Sequence, residues 1–166
     1  MRRRRCSIHS TPSSDTRRVP QPSELSDDEK ALIAAARAAA DNAYAPYSNF
    51  HVGAAVRAED GRIFTAANVE NASYGLSLCA EANAIAAAAV AGVRTLTHVA
   101  VVGYPAAAPD GPTLATPCGR CRQMIAEFAG GDAIVLVQSR DGTQTLRAPF
   151  REILPHAFGP DRLAGG

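Results

Sequence analysis

The sequence predicts an α/β protein, a three-layer α/β/α sandwich around a mixed five-stranded sheet. Three observations carry that prediction. Helix and strand signals follow one another in the order α-β-β-α-β-α-β-β. Asp60-Gly61 and Asp141-Gly142 each sit between two strand-like runs, the signature of tight antiparallel hairpins. The remaining strands are separated by helices, and such crossovers complete a mixed sheet covered by helical layers.

The elements follow in order. Ser26-Asp27-Asp28-Glu29 is a capping box, and the helix it opens runs through Leu32 and Ala39 to about Tyr44, where Pro46 stops it. His51 to Arg57 reads as a strand that returns through Asp60-Gly61 as Arg62 to Ala66. Asn68 to Ser77 is a loop. The nearly all-apolar stretch from Leu78 to Val90 is a helix that Gly92 ends. Thr97 to Val102 is a buried strand, and the Pro-, Ala- and Gly-rich segment from Tyr104 to Thr116 is a loop. Pro117 to Cys121 opens a helix that ends at Gly130-Gly131. Ala133 to Gln138 and Gln144 to Arg147 form the second hairpin, and Phe150 to Leu154 is a short helix.

The 166 residues suit one domain with a core that needs no disulfides. Aromatic residues make up only 5% of the chain and tryptophan is absent, so alanine and short aliphatics must fill that core. The net charge of +1 hides an asymmetry. Residues 1–23 carry six arginines and one aspartate, whereas the rest carries 11 basic and 15 acidic side chains. We therefore expect a disordered basic tail over 1–25 and a mildly acidic domain over 26–166. An acidic body argues against nucleic acid as partner. No apolar run is long enough to span a membrane, and the N-terminus lacks the apolar core of a secretory signal. These features point to the cytoplasm.

Cys6 falls in the tail. Cys79, Cys118 and Cys121 remain, an odd set that suits metal or catalysis better than a disulfide framework. Cys118-x-x-Cys121 lets two thiolates grip one tetrahedral ion, and the single crossover strand between Cys79 and Cys118 allows the two helix starts to meet. Helix N-termini favour thiolates. Three protein ligands leave a zinc ion one open position, the mark of a catalytic site, where zinc makes water nucleophilic near neutral pH. Glu81 stands two residues from a ligand and can carry protons without binding the metal. The competing reading is a structural zinc completed by His51, His98 or His156, none of which sits at ligand spacing. Standing alone, Glu81 would be an ordinary acid in a first helical turn.

The ordered pair Cys79-Ala80-Glu81 and Pro117-Cys118-Gly119-Arg120-Cys121 matches the known pattern of zinc nucleobase deaminases. Over about residues 26 to 163 the sequence resembles the short cytidine deaminases of pyrimidine salvage. The resemblance is carried by those two blocks with Arg122-Gln123, by Tyr47 to Ala55, by Asn68 to Tyr74, and by Ile153 to Pro160. It implies a Zn²⁺ enzyme that converts cytidine and 2′-deoxycytidine to the uridine nucleosides and releases ammonia, with Glu81 protonating N3 and then the leaving amine. It further implies that Asn68 and Glu70 hydrogen-bond the ribose, that Phe50 packs beside the nucleoside, and that Ala80 reads the base edge through its backbone. A homotetramer in which Tyr74 and Phe158 reach a neighbour's site is also implied. The sequence departs from the family at Ala82, where arginine commonly offsets the thiolate charge; Arg120, Arg122 or the helix starts would have to substitute. A deaminase of a modified cytosine nucleoside such as blasticidin S, and a non-catalytic zinc-stabilised binding module, are the alternative readings.

Overall fold

Ser26 starts the first helix as the sequence predicts. The computed structural model describes residues 25–159, so all of the expected 1–25 tail but its last residue, with Cys6, and the chain from Pro160 onward lie outside the described residues. Leu25 is not tail but core, buried with Leu32 and Ile33 of the first helix. Helix α1 spans Asp27–Ala40 and opens on a complete capping box: the Ser26 side chain accepts from the Glu29 backbone N–H at 3.2 Å, and Glu29 accepts from the Ser26 N–H at 2.9 Å. The helix ends about a turn earlier than expected, because Tyr44 is drawn into a bridge with Val69 instead.

Strands β1 (Phe50–Ala58) and β2 (Ile63–Ala67) form the first hairpin, turning at Gly61 with its positive φ of 86°. Helix α2 is Ala80–Val90, β3 is Leu96–Pro105, and α3 is Gly119–Phe128. Strands β4 (Ala129–Gln138) and β5 (Thr145–Pro149) precede the short helix α4 (Phe150–Ile153). The five strands form one sheet in the order β2-β1-β3-β4-β5. The β3–β4 pair is parallel and the other three are antiparallel, which is the expected mixed sheet.

Two expectations need extending. Strand β3 runs past Val102 through Gly103, and Tyr104 and Pro105 belong to it and not to the following loop, because the three pair with Val52, His51 and Phe50. Gly130-Gly131 does not separate α3 from β4; the strand starts at Ala129, opposite Leu96.

Alanine fills the core, as the scarcity of aromatics requires. On one face Leu32, Ile33 and Ala36 of α1 pack on Ala55, Ala100, Val102 and Leu136. Gly53 permits this contact, since a Cβ there would collide with the backbone of Ala36 and Ala40. On the other face Ala80, Ala84, Ile85 and Ala88 of α2 and Ile125 of α3 cover Val99, Val101 and Val135. The four-residue spacing of alanines presents one narrow, flat face to the sheet and lets helix and strand approach closely.

Glu29 is buried and ties α1 to the far hairpin. Its Oε1 accepts from Arg147 Nε at 2.9 Å, with His98 Nε2 at 4.0 Å. Burial acts to raise its pKa, but the Ser26 N–H and the Arg147 guanidinium outweigh it and hold the carboxyl below its usual range. A depressed native pKa contributes stability above the ordinary glutamate range, and that stability is lost as pH falls through the native value. Glu29→Gln is expected to lower stability by about 1–2 kcal/mol at pH 7. It should also flatten the acid limb of the stability curve below about pH 5, read by urea unfolding across pH.

Candidate active site

The three body cysteines meet where α2 and α3 begin. Cys79 is the N-cap of α2 and Cys118 the N-cap of α3, both in extended conformation, and Cys121 lies one turn into α3. Cys79 Sγ and Cys118 Sγ are 3.9 Å apart, and all three sulfurs lie within 4.8 Å of one another. A tetrahedral ion with sulfur at about 2.3 Å sets sulfur–sulfur edges of about 3.8 Å. The thiols are therefore spaced to hold one soft divalent ion. Among the described residues no histidine or carboxylate joins the cluster. His98 faces Glu29, His51 lies 5.5 Å from the Tyr104 ring, and His156 lines a different cavity.

The metal-free thiols show what the ion has to overcome. Burial raises Cys121, and the neighbouring Glu81 and Cys79 raise it further. Burial likewise raises Cys79. For Cys118, burial is outweighed by the nearby Cys121 backbone N–H and the adjoining thiols, and its pKa falls below the ordinary thiol value. That backbone group is one of the free donors of a helix start, so the helix favours the thiolate there.

Among the described residues no basic side chain hydrogen-bonds the sulfurs. Ala82 is buried. Arg122 is committed elsewhere: its Nε donates to the Pro117 carbonyl at 2.8 Å and its Nη1 to the Ile153 carbonyl at 3.0 Å. It thus fixes the residue preceding Cys118 and anchors α4 to α3. With Ala82 uncharged, Arg122 occupied and Arg120 exposed without a hydrogen bond to the sulfurs, the helix starts are left as the positive ends beside the thiols.

A cavity of about 460 Å³ opens beside the cluster. It is lined by Cys79, Ala80, Glu81 and Cys118 together with Phe50, Asn68 and Glu70. Seven of the ten residues selected from sequence therefore share it, with Cys121 beneath in the thiol cluster. Tyr74 does not line this cavity. It borders an adjoining cleft, 5.9 Å from the Tyr47 ring, which shares Glu70 and Ser77 with the main cavity. Phe158 lies apart, 60% exposed, with its carbonyl accepting from Gln123 Nε2 at 2.8 Å.

Thr113, Leu114, Ala115 and Thr116 form a further wall that the sequence reading passed over as loop. Their position immediately before Pro117-Cys118 was the available signal, since a segment leading into a ligand must skirt the site.

Two carboxyls in one cavity are held in opposite ways. Glu81 is 4% exposed, and burial raises its pKa, partly offset by its own backbone N–H and the Cys121 thiol. Such a carboxyl can hold a proton that an exposed glutamate would release. Glu70 has its Oε2 bound by the backbone N–H groups of Tyr47 and Ser48, at 2.9 and 3.1 Å. Hydrogen bonding at Ser48 and Tyr47 lowers its pKa and keeps it ionised. Asn68 is similarly fixed, donating to the Phe50 carbonyl and accepting from the Val52 N–H, both at 2.9 Å.

A mixed sheet that carries a Cys-x-Glu helix start beside a Pro-Cys-x-x-Cys helix start defines the class, that of the nucleobase deaminases. Comparison with known proteins narrows it. The family model for the cytidine and deoxycytidylate deaminase zinc-binding region matches residues 26–137. A cytidine deaminase of Sporosarcina psychrophila is 41% identical over 137 residues, covering 82% of this chain and 96% of that one. One from Mycobacterium tuberculosis is 41% identical over 128 residues, covering 75% and 85%. The crystal structure of the Burkholderia pseudomallei cytidine deaminase superposes with a TM-score of 0.69 at 44% identity, covering 78% of this chain and 98% of that one. The chain belongs to the cytidine and deoxycytidylate deaminase family.

Proposed function

We propose that this protein hydrolytically deaminates cytidine and 2′-deoxycytidine, with Cys79, Cys118 and Cys121 holding Zn²⁺ and Glu81 carrying the protons. The observation that supports this most directly is a buried carboxyl with a raised pKa sharing one cavity with the thiol cluster. Zinc, when bound, supplies Lewis-acid activation of water near neutral pH. Glu81 accepts a proton from the attacking water and delivers it to N3 of the pyrimidine. It then passes the second proton to the amino nitrogen leaving C4, so that water and cytidine become uridine and ammonia. Phe50 and the backbone at Ala80 bound the base, and the fixed polar atoms of Asn68 and Glu70 suit ribose hydroxyls.

Glu81→Gln is expected to retain full metal content while turnover of cytidine falls by roughly 10²–10⁴-fold. Ammonia release and atomic absorption on the same sample would check both. Full turnover by that variant, or by metal-free protein, would falsify the assignment.

The cavity and its adjoining cleft contain no Lys, Arg or His among their described lining residues, and Glu70 bridges the two. A phosphate on the sugar would meet an ionised carboxylate with no cation to pair it. We therefore favour nucleosides over nucleotides, with blasticidin S as a control. Deoxycytidylate should react about 10²-fold less efficiently than deoxycytidine in kcat/KM, measured side by side at one ionic strength.

We further propose a cytoplasmic homotetramer acting in pyrimidine salvage. No helix among the described residues is long and apolar enough to cross a membrane. Tyr74 and Phe158 miss their own cavity, while Tyr74, Leu76 and Val90 are more than 60% exposed. Such surface suits burial against other copies, with Tyr74 and Phe158 completing a neighbour's site. Sedimentation equilibrium should give four times the 17.3 kDa chain mass, and a monomer would remove the basis for shared sites.

A further inference from the structure

Gly103 sits where β3 emerges from beneath the helices. Val99 and Val101 face the core under α2 and α3, and Gly103 follows on the same side of the strand. Its φ lies outside the left-handed region, in contrast to Gly61, Gly92 and Gly142. Glycine is therefore demanded by space, not by backbone conformation. A Cβ built there would lie 2.6 Å from the Ala115 Cβ, 3.1 Å from Phe50 Cε1 and 3.2 Å from the His51 carbonyl oxygen. Ala115 and Phe50 both line the main cavity, from opposite elements.

The surroundings decide which neighbour would yield. Gly103 pairs with Val52 in the β1–β3 ladder, so its backbone is held. Phe50 belongs to the same ladder, opposite Pro105. Ala115 is on the segment between β3 and α3, outside the sheet. That segment is held at its ends, by the Ala106 N–H on the Asn49 carbonyl and by Arg122 on the Pro117 carbonyl, and Ala115 itself makes no backbone hydrogen bond to the sheet among the described residues. An added methyl would displace Ala115 and press on Phe50, while the thiol cluster stays in place.

We propose that the missing side chain at Gly103 sets the width of the substrate slot, seating Ala115 against the sheet and leaving room for the Phe50 ring. Gly103 is thus a positioning residue for substrate specificity, acting through Ala115 and Phe50 without touching substrate. This rests on the reading of the cavity as the nucleoside site.

Gly103→Ala should raise KM for cytidine roughly tenfold, with kcat changed by less than about threefold and metal content unchanged. Gly103→Ala/Ala115→Gly removes the closest collision and should return KM to within about threefold of wild type. Calorimetric binding of uridine should follow the same order without turnover. An unchanged KM in the single variant, or a double variant no better than the single, overturns the proposal. If Gly103→Ala does not fold, the double variant decides: a folded enzyme with near-native KM supports the seating, and an unfolded one or a raised KM overturns it. A wild-type protein that neither turns over cytidine nor binds uridine refutes the nucleoside reading and with it the specificity role. Recovery of Tm by the second substitution would still report the Gly103–Ala115 contact by itself.

Discussion

Two helices that begin side by side confront each other with ends of like charge, and the rest of the structure follows from how that conflict is resolved. The sheet enforces it. Strands β3 and β4 run parallel, and α2 and α3 lead into them in turn on the same face. Both helices therefore start near the carboxyl ends of those strands, where open α/β sheets place their ligands. Each start carries unpaired N–H groups and a partial positive charge. Three sulfurs gathered there, two of them only 3.9 Å apart, supply the negative counterpart when ionised, and a divalent ion held between them would link the two helices through one centre.

The opposed treatment of Glu81 and Glu70 belongs to the same economy of charge. Glu81 is raised by burial alone, in a place from which water is largely excluded, and its charge in turn opposes ionisation of Cys121. Glu70, which also lines the adjoining cleft, has two backbone donors on one oxygen. One carboxyl is kept ready to carry a proton and the other is kept as a fixed acceptor. Identical side chains acquire different chemistry because one is buried away from water and the other is bound by two backbone N–H groups.

Much of this was legible in the sequence where the deciding interaction is local. The Ser26–Glu29 box, the Asp-Gly turns and the Cys-x-x-Cys spacing each depend on a few adjacent residues, and the structure contains all three features. What escaped depended on distant partners. Tyr104 looked like loop because its neighbours are glycine, proline and alanine, yet the start of β1 recruits it into a strand. The end of α1 was misjudged because Tyr44 exchanges hydrogen bonds with Asn68 and Glu70, more than twenty residues on. Of the site residues that came from family resemblance, Phe50, Asn68, Glu70 and Ala80 share the cavity with Cys79, Glu81 and Cys118, whereas Tyr74 and Phe158 remain apart within one chain.

Asn68 has a consequence of another sort. Strand β2 leaves the sheet at Ala67, and from there the Asn68 amide continues the ladder, meeting the carbonyl of Phe50 and the N–H of Val52 as a backbone unit would. A shorter, longer or singly polar replacement would leave one of those groups bare and fray the wall of the cavity before altering what the cavity admits. Folding alone is enough to police this position, so new substrate preferences would have to arise through its neighbours.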